Sequence, residues 1–461
     1  MQSNDVLKET HNIEVDGRRF VYDVNELLIL EVDDATWEYF EAAVDPSGPP
    51  PAARVAARFG PDVAADVVAQ LRDAGLLVPA GDAHERLPPR RTGMLGVTLD
   101  VTHGCNLRCT YCFAEQGDYG LGRANMPEET ARRAIDWLAE RGDGEQGARV
   151  GFFGGEPLMN MPTVRSTVAY VNERLASGGK RVRLHVTTNG TLLNEGNVQY
   201  LAENKIDVQV SVDGTPKTHN KFRLFPSGRG SHDVVAGGIA RLKSATGSAV
   251  LRATISPGEG DFRRSVDHLI DDLGGTVVAF EPASKSSCGP SIDADDMARI
   301  KSEWDAVAED FAEHIKRGVV KPVGNIIKLL QAIHRRKKTV YGCTAGYANV
   351  AVDPSGDIYP CHRFVGEGDW KMGNVHSGEF DEGLRERFAR NTVDQREPCR
   401  TCWARYTCGG RCAHEALEST GTIDAPDPLR CELVRHLTEL SIKLYVQLKP
   451  YEQELLAKAS A

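Results

Sequence analysis

The chain has 461 residues, of which 41% are hydrophobic and 26% charged, and its formal net charge is −10. This is the balance of an ordinary globular protein with room for two to four domains. No run of about 18 apolar residues predicts a membrane span, and the acidic charge does not suggest a nucleic-acid partner. The first residues do not follow the basic-then-apolar order of a secretory signal, so a cytoplasmic location is expected. Eleven cysteines in such a chain favour metal or redox chemistry over a disulfide framework.

Residues 1–78 are predicted to form a small domain in which strands precede helices. Asp16-Gly17 is a two-residue hairpin signal. The predicted strands are 13–15, 18–22 and 27–32, and the predicted helices are 35–44 and 51–75, the latter broken near Gly60-Pro61. This order resembles a winged helix and the precursor-recognition domains of peptide-modifying enzymes, which bind a leader peptide as an added strand. A winged helix that only packs on its neighbour is the alternative. Residues 79–91, rich in Pro and Gly, are the predicted linker.

Residues 92–320 alternate between strand and helix patterns. The predicted strands are 95–101, 149–153, 182–188, 206–212, 249–255 and 276–281, and helices are predicted at 127–141 and 294–317. Such alternation implies a parallel sheet. Because six units are fewer than the eight that close a full barrel, we expect an α/β fold with an open, partial (β/α)6, TIM-like barrel.

Three cysteines follow the first barrel strand within eight residues. Cys105, Cys109 and Cys112 are separated by three and two residues. Three crowded thiolates suit three corners of a [4Fe–4S] cubane, which leaves one iron for a small molecule. Structural zinc is the alternative, but zinc sites usually pair two Cys or His knuckles, and no partner knuckle is near. A disulfide is disfavoured because the number of thiols is odd and the loop is short.

This spacing, with Tyr111 and Phe113 inside the segment, resembles the radical S-adenosylmethionine (SAM) superfamily. Further matching segments follow in order: Gly154-Gly155-Glu156-Pro157, Thr187-Thr188-Asn189-Gly190 and Ser211-Val212-Asp213-Gly214. In that family the Gly-Gly-Glu-Pro segment holds the amino group of SAM. The resemblance implies that the SAM contacts are Tyr111, Gly154, Gly155, Glu156, Pro157, Thr188, Asn189, Ser211 and Arg252. By the same resemblance Asn189 and Ser211 would lie near the ribose and carboxylate of SAM, and Arg252 near the carboxylate. Each also has an interpretation as a strand-end cap or, for Arg252, a solvated arginine.

Asp213 and the segment ending at Arg223 are expected to face the substrate. We predict catalytic roles for Asp213, Arg223 and Cys288. Cys288 lies in a loop directly after the sixth predicted strand.

Seven cysteines lie in residues 321–435. Cys343 and Cys361 are followed by a Cys-x2-Cys-x5-Cys-x3-Cys run, and the last cysteine is Cys431. This arrangement resembles a SPASM domain, which carries two auxiliary [4Fe–4S] clusters. By that resemblance Cys399, Cys402, Cys408 and Cys431 hold the second auxiliary cluster, and Cys343, Cys361 and Cys412 hold three irons of the first. A zinc ribbon would leave three cysteines unexplained, and disulfides are disfavoured in a reducing compartment.

Seven thiolates leave one corner of two cubanes open. The open iron of the first auxiliary cluster could bind a precursor cysteine as a thiolate. The competing interpretation makes Cys288 the eighth ligand. Residues 436–461 are predicted to form a C-terminal helix.

The resemblance implies an enzyme with SAM and three [4Fe–4S] clusters as cofactors, one binding SAM and two auxiliary. Its partners would be a precursor peptide or protein with a leader segment and an electron donor such as flavodoxin or ferredoxin. The nearest likeness is to radical SAM/SPASM maturases that form thioether crosslinks in peptides, including those of six-cysteine ranthipeptides and of quinohemoprotein amine dehydrogenase. The segments that carry it are Cys112–Gly117, Phe152–Leu158, Cys361–Phe364 and Cys402–Tyr406. The alternatives are carbon–carbon crosslinking, formylglycine formation, or a non-catalytic electron carrier or scaffold.

Overall fold

The computed structural model of the chain describes residues 5–45, 47–80, 93–142, 147–176 and 181–459. The predicted linker, 79–91, lies outside the described residues from residue 81 onward. Within the described part, no helix is both long and apolar enough to cross a membrane.

The N-terminal region forms strands followed by helices, as expected. Its strands are β1 (Asp5–Leu7), β2 (Thr10–Val15), β3 (Arg18–Asp23), β4 (Leu28–Val32) and β5 (Leu77–Pro79), and its helices are α1 (Asp34–Ala43), α2 (Pro51–Phe59) and α3 (Pro61–Asp73). The β2–β3 hairpin turns at Asp16 and Gly17, which both have positive φ, as the tight turns that join antiparallel strands require. Strand β1, which the sequence patterns did not predict, pairs antiparallel with β5.

Strands β2, β3 and β4 form an antiparallel sheet with β3 in the middle. One side of this sheet packs on the three helices through residues such as Val21, Phe40 and Val67. Other residues of the region, including Ile13 and Tyr22, join a hydrophobic cluster with residues far along the chain, such as Tyr406 and Ile442. The N-terminal region is therefore packed against the C-terminal region.

The predicted parallel sheet is confirmed. Its strands are β6 (Gly96–Thr102), β7 (Ala148–Gly154), β8 (Val182–Thr188), β9 (Asp207–Ser211), β10 (Val250–Ile255) and β11 (Val277–Pro282), which are hydrogen-bonded in sequence order. The intervening helices are α4 (Glu128–Arg141), α5 (Met161–Arg174), α6 (Glu195–Glu203), α7 (Pro216–Phe222), α8 (His232–Thr246) and α9 (Phe262–Asp267). All neighbouring pairs from β6 to β11 are parallel, so their carboxyl ends meet at one edge of the sheet.

A long helix, α10 (Ala294–Lys316), follows the sixth strand as predicted. It packs its apolar side, including the fully buried Trp304 and Phe311, on the same core as Phe280 of β11. Because this core is continuous around the sheet, the loops at the carboxyl ends of the strands rest on a rigid base.

The C-terminal region extends the barrel sheet, which the sequence patterns did not predict. Its elements are α11 (Gly324–His334), β12 (Asn349–Val352), β13 (Asp357–Tyr359), β14 (Gly373–Asn374), α12 (Glu382–Arg390), α13 (Arg405–Cys408), α14 (Ala413–Thr420), α15 (Pro428–Gln447) and α16 (Pro450–Lys458). Strand β12 pairs parallel with β6, so the described strands β6–β14 form one nine-stranded sheet. The single predicted helix over 436–461 is instead two helices that separate at Pro450, whose ring nitrogen has no hydrogen to continue α15.

Candidate active site

The three cysteines of the first motif lie on a loop just after β6. The loop is bound on one side by a segment after α7, because Arg108 N donates to Leu224 O at 2.6 Å and Thr110 N donates to Phe222 O at 3.0 Å. On its other side Gly155 is packed so closely that a Cβ there would overlap the carbonyl of Gly104. The backbone geometry of the loop is therefore fixed by its neighbours.

The loop thiols lie close together and are sheltered from solvent. All eleven cysteines of the chain are free of disulfides. Burial raises the pKa of Cys105 to about 11 and that of Cys109 to about 12, and mutual repulsion among the three thiolates raises these pKa values further. Uncompensated thiolates are unfavourable in such a place, whereas bound iron would stabilise all three.

No three His, Cys, Asp or Glu side chains of the described residues surround a single metal ion. Structural zinc sites have four protein ligands, whereas three thiolates hold three irons of a cubane. The three donors Cys105, Cys109 and Cys112 therefore fit a cluster better than a structural zinc ion.

Asp213 and Arg223, which are predicted to face the substrate, bind each other next to the cluster loop. Arg223 Nε donates to Asp213 Oδ2 at 2.9 Å, and the Tyr111 hydroxyl donates to the same oxygen. Thr254 N donates to Asp213 Oδ1 at 3.0 Å. The Asp213 side chain has no exposed surface and that of Arg223 is 9% exposed. These hydrogen bonds occupy both Asp213 oxygens.

The Gly-Gly-Glu-Pro segment follows β7 at the same edge. The Glu156 carboxylate turns inward and accepts hydrogen bonds from Leu158 N, the Thr188 hydroxyl and Asn189 N, at 3.0, 2.8 and 2.7 Å. Burial raises the pKa of Glu156 to about 7. Glu156 therefore ties the end of β8 to the loop after β7.

Asn189, at the end of β8, reaches the cluster loop directly. Its amide nitrogen donates to Asn106 Oδ1 at 2.8 Å and lies 3.8 Å from Cys105 Sγ. Ser211 and Arg252 are register partners on β9 and β10. The structure thus brings these three predicted SAM contacts to three adjacent strands, with Asn189 just after β8, Ser211 at the end of β9 and Arg252 within β10.

Arg252 lies in a charged group where the barrel meets the C-terminal region. Burial lowers the pKa of Arg252, while the nearby carboxylates of Glu281 and Glu415 oppose that shift. Arg411 binds Glu281 at 2.8 Å, and Arg363 lies 3.7 Å from Glu415.

Cys343, Cys361 and Cys412 come together beside this charged group. Burial raises the pKa of Cys343 to about 11, and the nearby thiolate of Cys412 raises it further. The pKa of Cys361 is raised by burial and by both neighbouring thiolates. Arg363 Nη1 is buried near them and has no hydrogen-bond partner among the described residues. A guanidinium nitrogen that faces Glu415 at 3.7 Å but donates no hydrogen bond, next to three thiols, fits an anionic iron–sulfur group.

The other four cysteines of the C-terminal region line one cavity. Its volume is about 300 Å³, and its walls include Cys399, Cys402, Cys408 and Cys431. A cavity lined by four thiols matches the complete ligand set of a cubane.

Cys288 lies beside the first cluster loop. Its thiolate would repel that of Cys112, whose pKa it raises. The residues on either side of Cys288 also contact this part of the chain. Ser287 Oγ donates to Glu115 Oε1 at 3.3 Å, and a Cβ on Gly289 would overlap the carbonyl of Thr110.

Cys343, Cys361 and Cys412 are called the first auxiliary site below, and the loop of Cys105, Cys109 and Cys112 is called the SAM loop. The sequence did not predict the side chains that lie between the two. His362 follows Cys361 and stacks on Phe153 with ring centroids 4.1 Å apart, and it lies 5.8 Å from the ring of Phe113. Tyr119 is buried close to both Cys112 and Cys361. The position of His362 directly after a cysteine was the available signal, whereas nothing in the sequence singled out Tyr119.

The cavity lined by Cys399, Cys402, Cys408 and Cys431, called the second auxiliary site below, lies next to the N-terminal region. The imidazole of His11 on β2 stacks on the indole of Trp403, with centroids 3.7 Å apart and planes 3° apart. Tyr22 approaches the edge of the same indole at 6.4 Å, and Arg405 pairs with Glu9. Trp403 follows Cys402, so the N-terminal sheet lies against the segment that carries these thiols.

Two family models match the chain. The Radical SAM superfamily model covers residues 99–272 and the SPASM model, an iron–sulfur cluster-binding domain, covers residues 343–403. A cysteine-type anaerobic sulfatase-maturating enzyme of Clostridium novyi is 22% identical over 310 residues, which are 64% of this chain and 80% of that protein.

Two solved structures share the fold. Native anSMEcpe with bound AdoMet superposes with a TM-score of 0.66 and 19% identity, covering 77% of this chain and 98% of that one. Streptococcus suis SuiB bound to precursor peptide SuiA gives a TM-score of 0.52 and 14% identity, covering 92% of this chain and 99% of that one. The two family models and the thiol sites agree: the chain carries a Radical SAM domain followed by a SPASM domain and is a radical SAM enzyme.

Proposed function

We propose that the protein is a maturase of a ribosomally made peptide or protein, and that it forms a thioether between a cysteine sulfur and an unactivated carbon. With SAM bound to a reduced cluster on the Cys105–Cys112 loop, the cofactors would supply a 5′-deoxyadenosyl radical that removes hydrogen from carbon. In this proposal an external flavodoxin or ferredoxin provides the electron.

The observation that carries the thioether proposal is the number of thiols at the first auxiliary site. Three cysteines meet there, against four at the second site. The candidate for a fourth thiol, Cys288, is instead close to Cys112. In our proposal the first auxiliary cluster thus keeps one iron for the thiolate of the precursor.

The protein residues would bind and orient the reactants. Gly154 and Gly155 leave backbone carbonyls for the ammonium of SAM, since the Glu156 carboxylate is already hydrogen-bonded within the protein. Ser211 and Arg252, paired across β9 and β10, would bind the SAM carboxylate. Arg252 is well placed because it lies between the barrel and the first auxiliary site.

The N-terminal region would bind the leader of the precursor. Its three-stranded sheet has β2 and β4 at its edges, and His11 of β2 contacts the C-terminal region, so we assign β4 as the edge that receives a leader strand. The larger share of this chain that the SuiB fold covers, 92% against 77% for anSMEcpe, supports a recognition domain. Addition of the leader should slow hydrogen exchange at residues 28–32, and protection of β2 alone would contradict this assignment.

Mass spectrometry of a treated precursor tests the bond that forms. Candidate precursors are short cysteine-containing peptides encoded next to the gene. A thioether removes two hydrogens and one thiol that iodoacetamide can alkylate. A carbon–carbon crosslink also removes two hydrogens but leaves every thiol reactive, and that result would overturn the thioether proposal.

Formylglycine formation is the second candidate, because the Clostridium novyi relative is a sulfatase-maturating enzyme. It would replace a cysteine side chain by an aldehyde that reacts with hydrazides. Anaerobic incubation with SAM and dithionite separates both candidates from an electron carrier. Wild-type protein should form 5′-deoxyadenosine, and joint replacement of Cys105, Cys109 and Cys112 by Ala should abolish it while auxiliary iron remains.

A further inference from the structure

We propose that Arg223 and Asp213 are positioning residues that set the reduction potential of the cluster on the Cys105–Cys112 loop. The proposal rests on the radical SAM assignment and is independent of the peptide chemistry. In it the cation of Arg223 favours the reduced cluster, and Asp213 both holds that cation and limits its effect.

Arg223 is fixed to the cluster loop from both sides. The residues before and after it, Phe222 and Leu224, accept backbone hydrogen bonds from Thr110 and Arg108 of the loop, at 3.0 and 2.6 Å. An arginine between two such contacts cannot shift along the loop without breaking them. Its position relative to the loop cysteines is therefore determined by the backbone.

The side chain of Arg223 points toward the loop. Its guanidinium carbon lies 5.5 Å from the ring centroid of Tyr111, a residue between Cys109 and Cys112. Arg223 Nε and the Tyr111 hydroxyl donate to the same oxygen of Asp213, so the guanidinium is held beside the segment that joins Cys109 to Cys112.

Asp213 keeps this cation in place. Its two oxygens accept hydrogen bonds from Arg223, Tyr111 and Thr254, which belong to three different segments. Neither charged side chain is free to turn to solvent, since their exposed fractions are 9% and 0%. Solvent screening of the pair is accordingly weak.

A fixed positive charge next to a cluster makes electron uptake more favourable, because reduction adds negative charge. Removal of Arg223 should therefore make the potential more negative, whereas neutralisation of Asp213 should make it more positive. A role limited to holding the loop in shape would not produce shifts of opposite sign.

The test is a potentiometric EPR titration of the anaerobically reconstituted full-length chain. The relevant cluster is identified as the one whose signal changes when SAM is added. At the wild-type midpoint, Arg223→Gln should lower the ratio of reduced to oxidised cluster roughly tenfold, which is a shift of about 59 mV for one electron. Asp213→Asn, which keeps an acceptor for Thr254 N, should shift the opposite way.

Two further variants keep the result decisive. Arg223→Lys retains the charge and should recover most of the wild-type potential, including when Arg223→Gln fails to retain iron. Asp310→Asn breaks a different partly buried pair, with Lys321 at 2.6 Å, and should leave the potential unchanged. Full iron content with unchanged midpoints, or shifts of the same sign in Arg223→Gln and Asp213→Asn, would overturn the proposal.

Discussion

The two auxiliary sites share one cysteine motif but have different surroundings. At the first, three thiols lie among charged side chains and next to the aromatic residues of the SAM loop, where His362 meets Phe113 and Phe153. At the second, four thiols line one cavity, and the N-terminal sheet packs hydrophobic residues against the segment that carries them.

This difference indicates how one domain can serve two purposes. A site with three thiols and nearby charges can accept a further ligand, whereas a site with four thiols has no vacant corner in a cubane. We infer that the first site takes part in substrate chemistry and that the second transfers electrons. The first three predictions that follow test this division, from the largest expected effect to none, and the fourth concerns the charged group beside the first site.

Cys361→Ala and Cys408→Ala provide the strongest test. Each should lower the bound iron by about one cluster, because each removes a predicted ligand. Only the first should abolish the EPR change that a cysteine-containing precursor causes in the wild-type enzyme, and it should lower crosslinking by more than 100-fold. Equal loss of the precursor-dependent signal in both variants would contradict the division.

The contact between the N-terminal sheet and the second site gives a smaller effect. His11→Ala removes the ring that stacks on Trp403 and should destabilise the chain by about 1 kcal/mol. A chelator should also remove iron from the second site faster. Glu14→Ala, on the same strand but exposed, is the matched control for chemical denaturation, and equal effects of the two substitutions would show that the stack is unimportant.

Cys288→Ala tests whether Cys288 is a fourth cysteine ligand at the first site. Since Cys288 lies near Cys112, the variant should keep the iron and the EPR signals of all three clusters. Iron analysis and spectroscopy check this directly. Loss of the first auxiliary signal would make Cys288 the eighth ligand and would leave the precursor thiol no iron to bind.

The charged group beside the first site predicts a small acid effect. Burial alone would raise the pKa of Glu281, but the charge and hydrogen bond of Arg411 lower it to about 2. A lowered folded-state pKa adds stability above the unfolded value near 4.5, and this stability is lost as the pH falls toward 2. Between pH 6 and pH 3.5 the melting temperature of the iron-free chain should fall more for wild type than for Glu281→Gln. A matched control is Glu382→Gln, in which the lost partner of Arg141 is an exposed carboxylate. The melting temperature of this variant should fall as much as that of the wild type.

The sequence was most informative where a pattern is local. Strand β8 has the predicted bounds, 182–188, and the hairpin at Asp16-Gly17 forms as its residues require. Two predicted SAM contacts, Asn189 and Ser211, lie at adjoining strand ends because a parallel sheet brings those ends together, and Arg252 within β10 is the register partner of Ser211.

What the sequence did not reveal depends on contacts between distant segments. The ion pair between Asp213 and Arg223 was not predicted, because a separation of ten residues does not disclose it. The stack of His11 on Trp403 joins residues almost 400 positions apart. Strand β12 was missed because four residues are too few to show a period.

That short strand has a consequence for how the enzyme can be divided. Strand β6 pairs with β7 on one side and with β12 on the other, so removal of the C-terminal region would leave one side of the first barrel strand without hydrogen-bond partners. An unpaired strand edge is a template for aggregation. The barrel and the C-terminal region should thus melt in one cooperative transition, and a fragment that ends before β12 should self-associate.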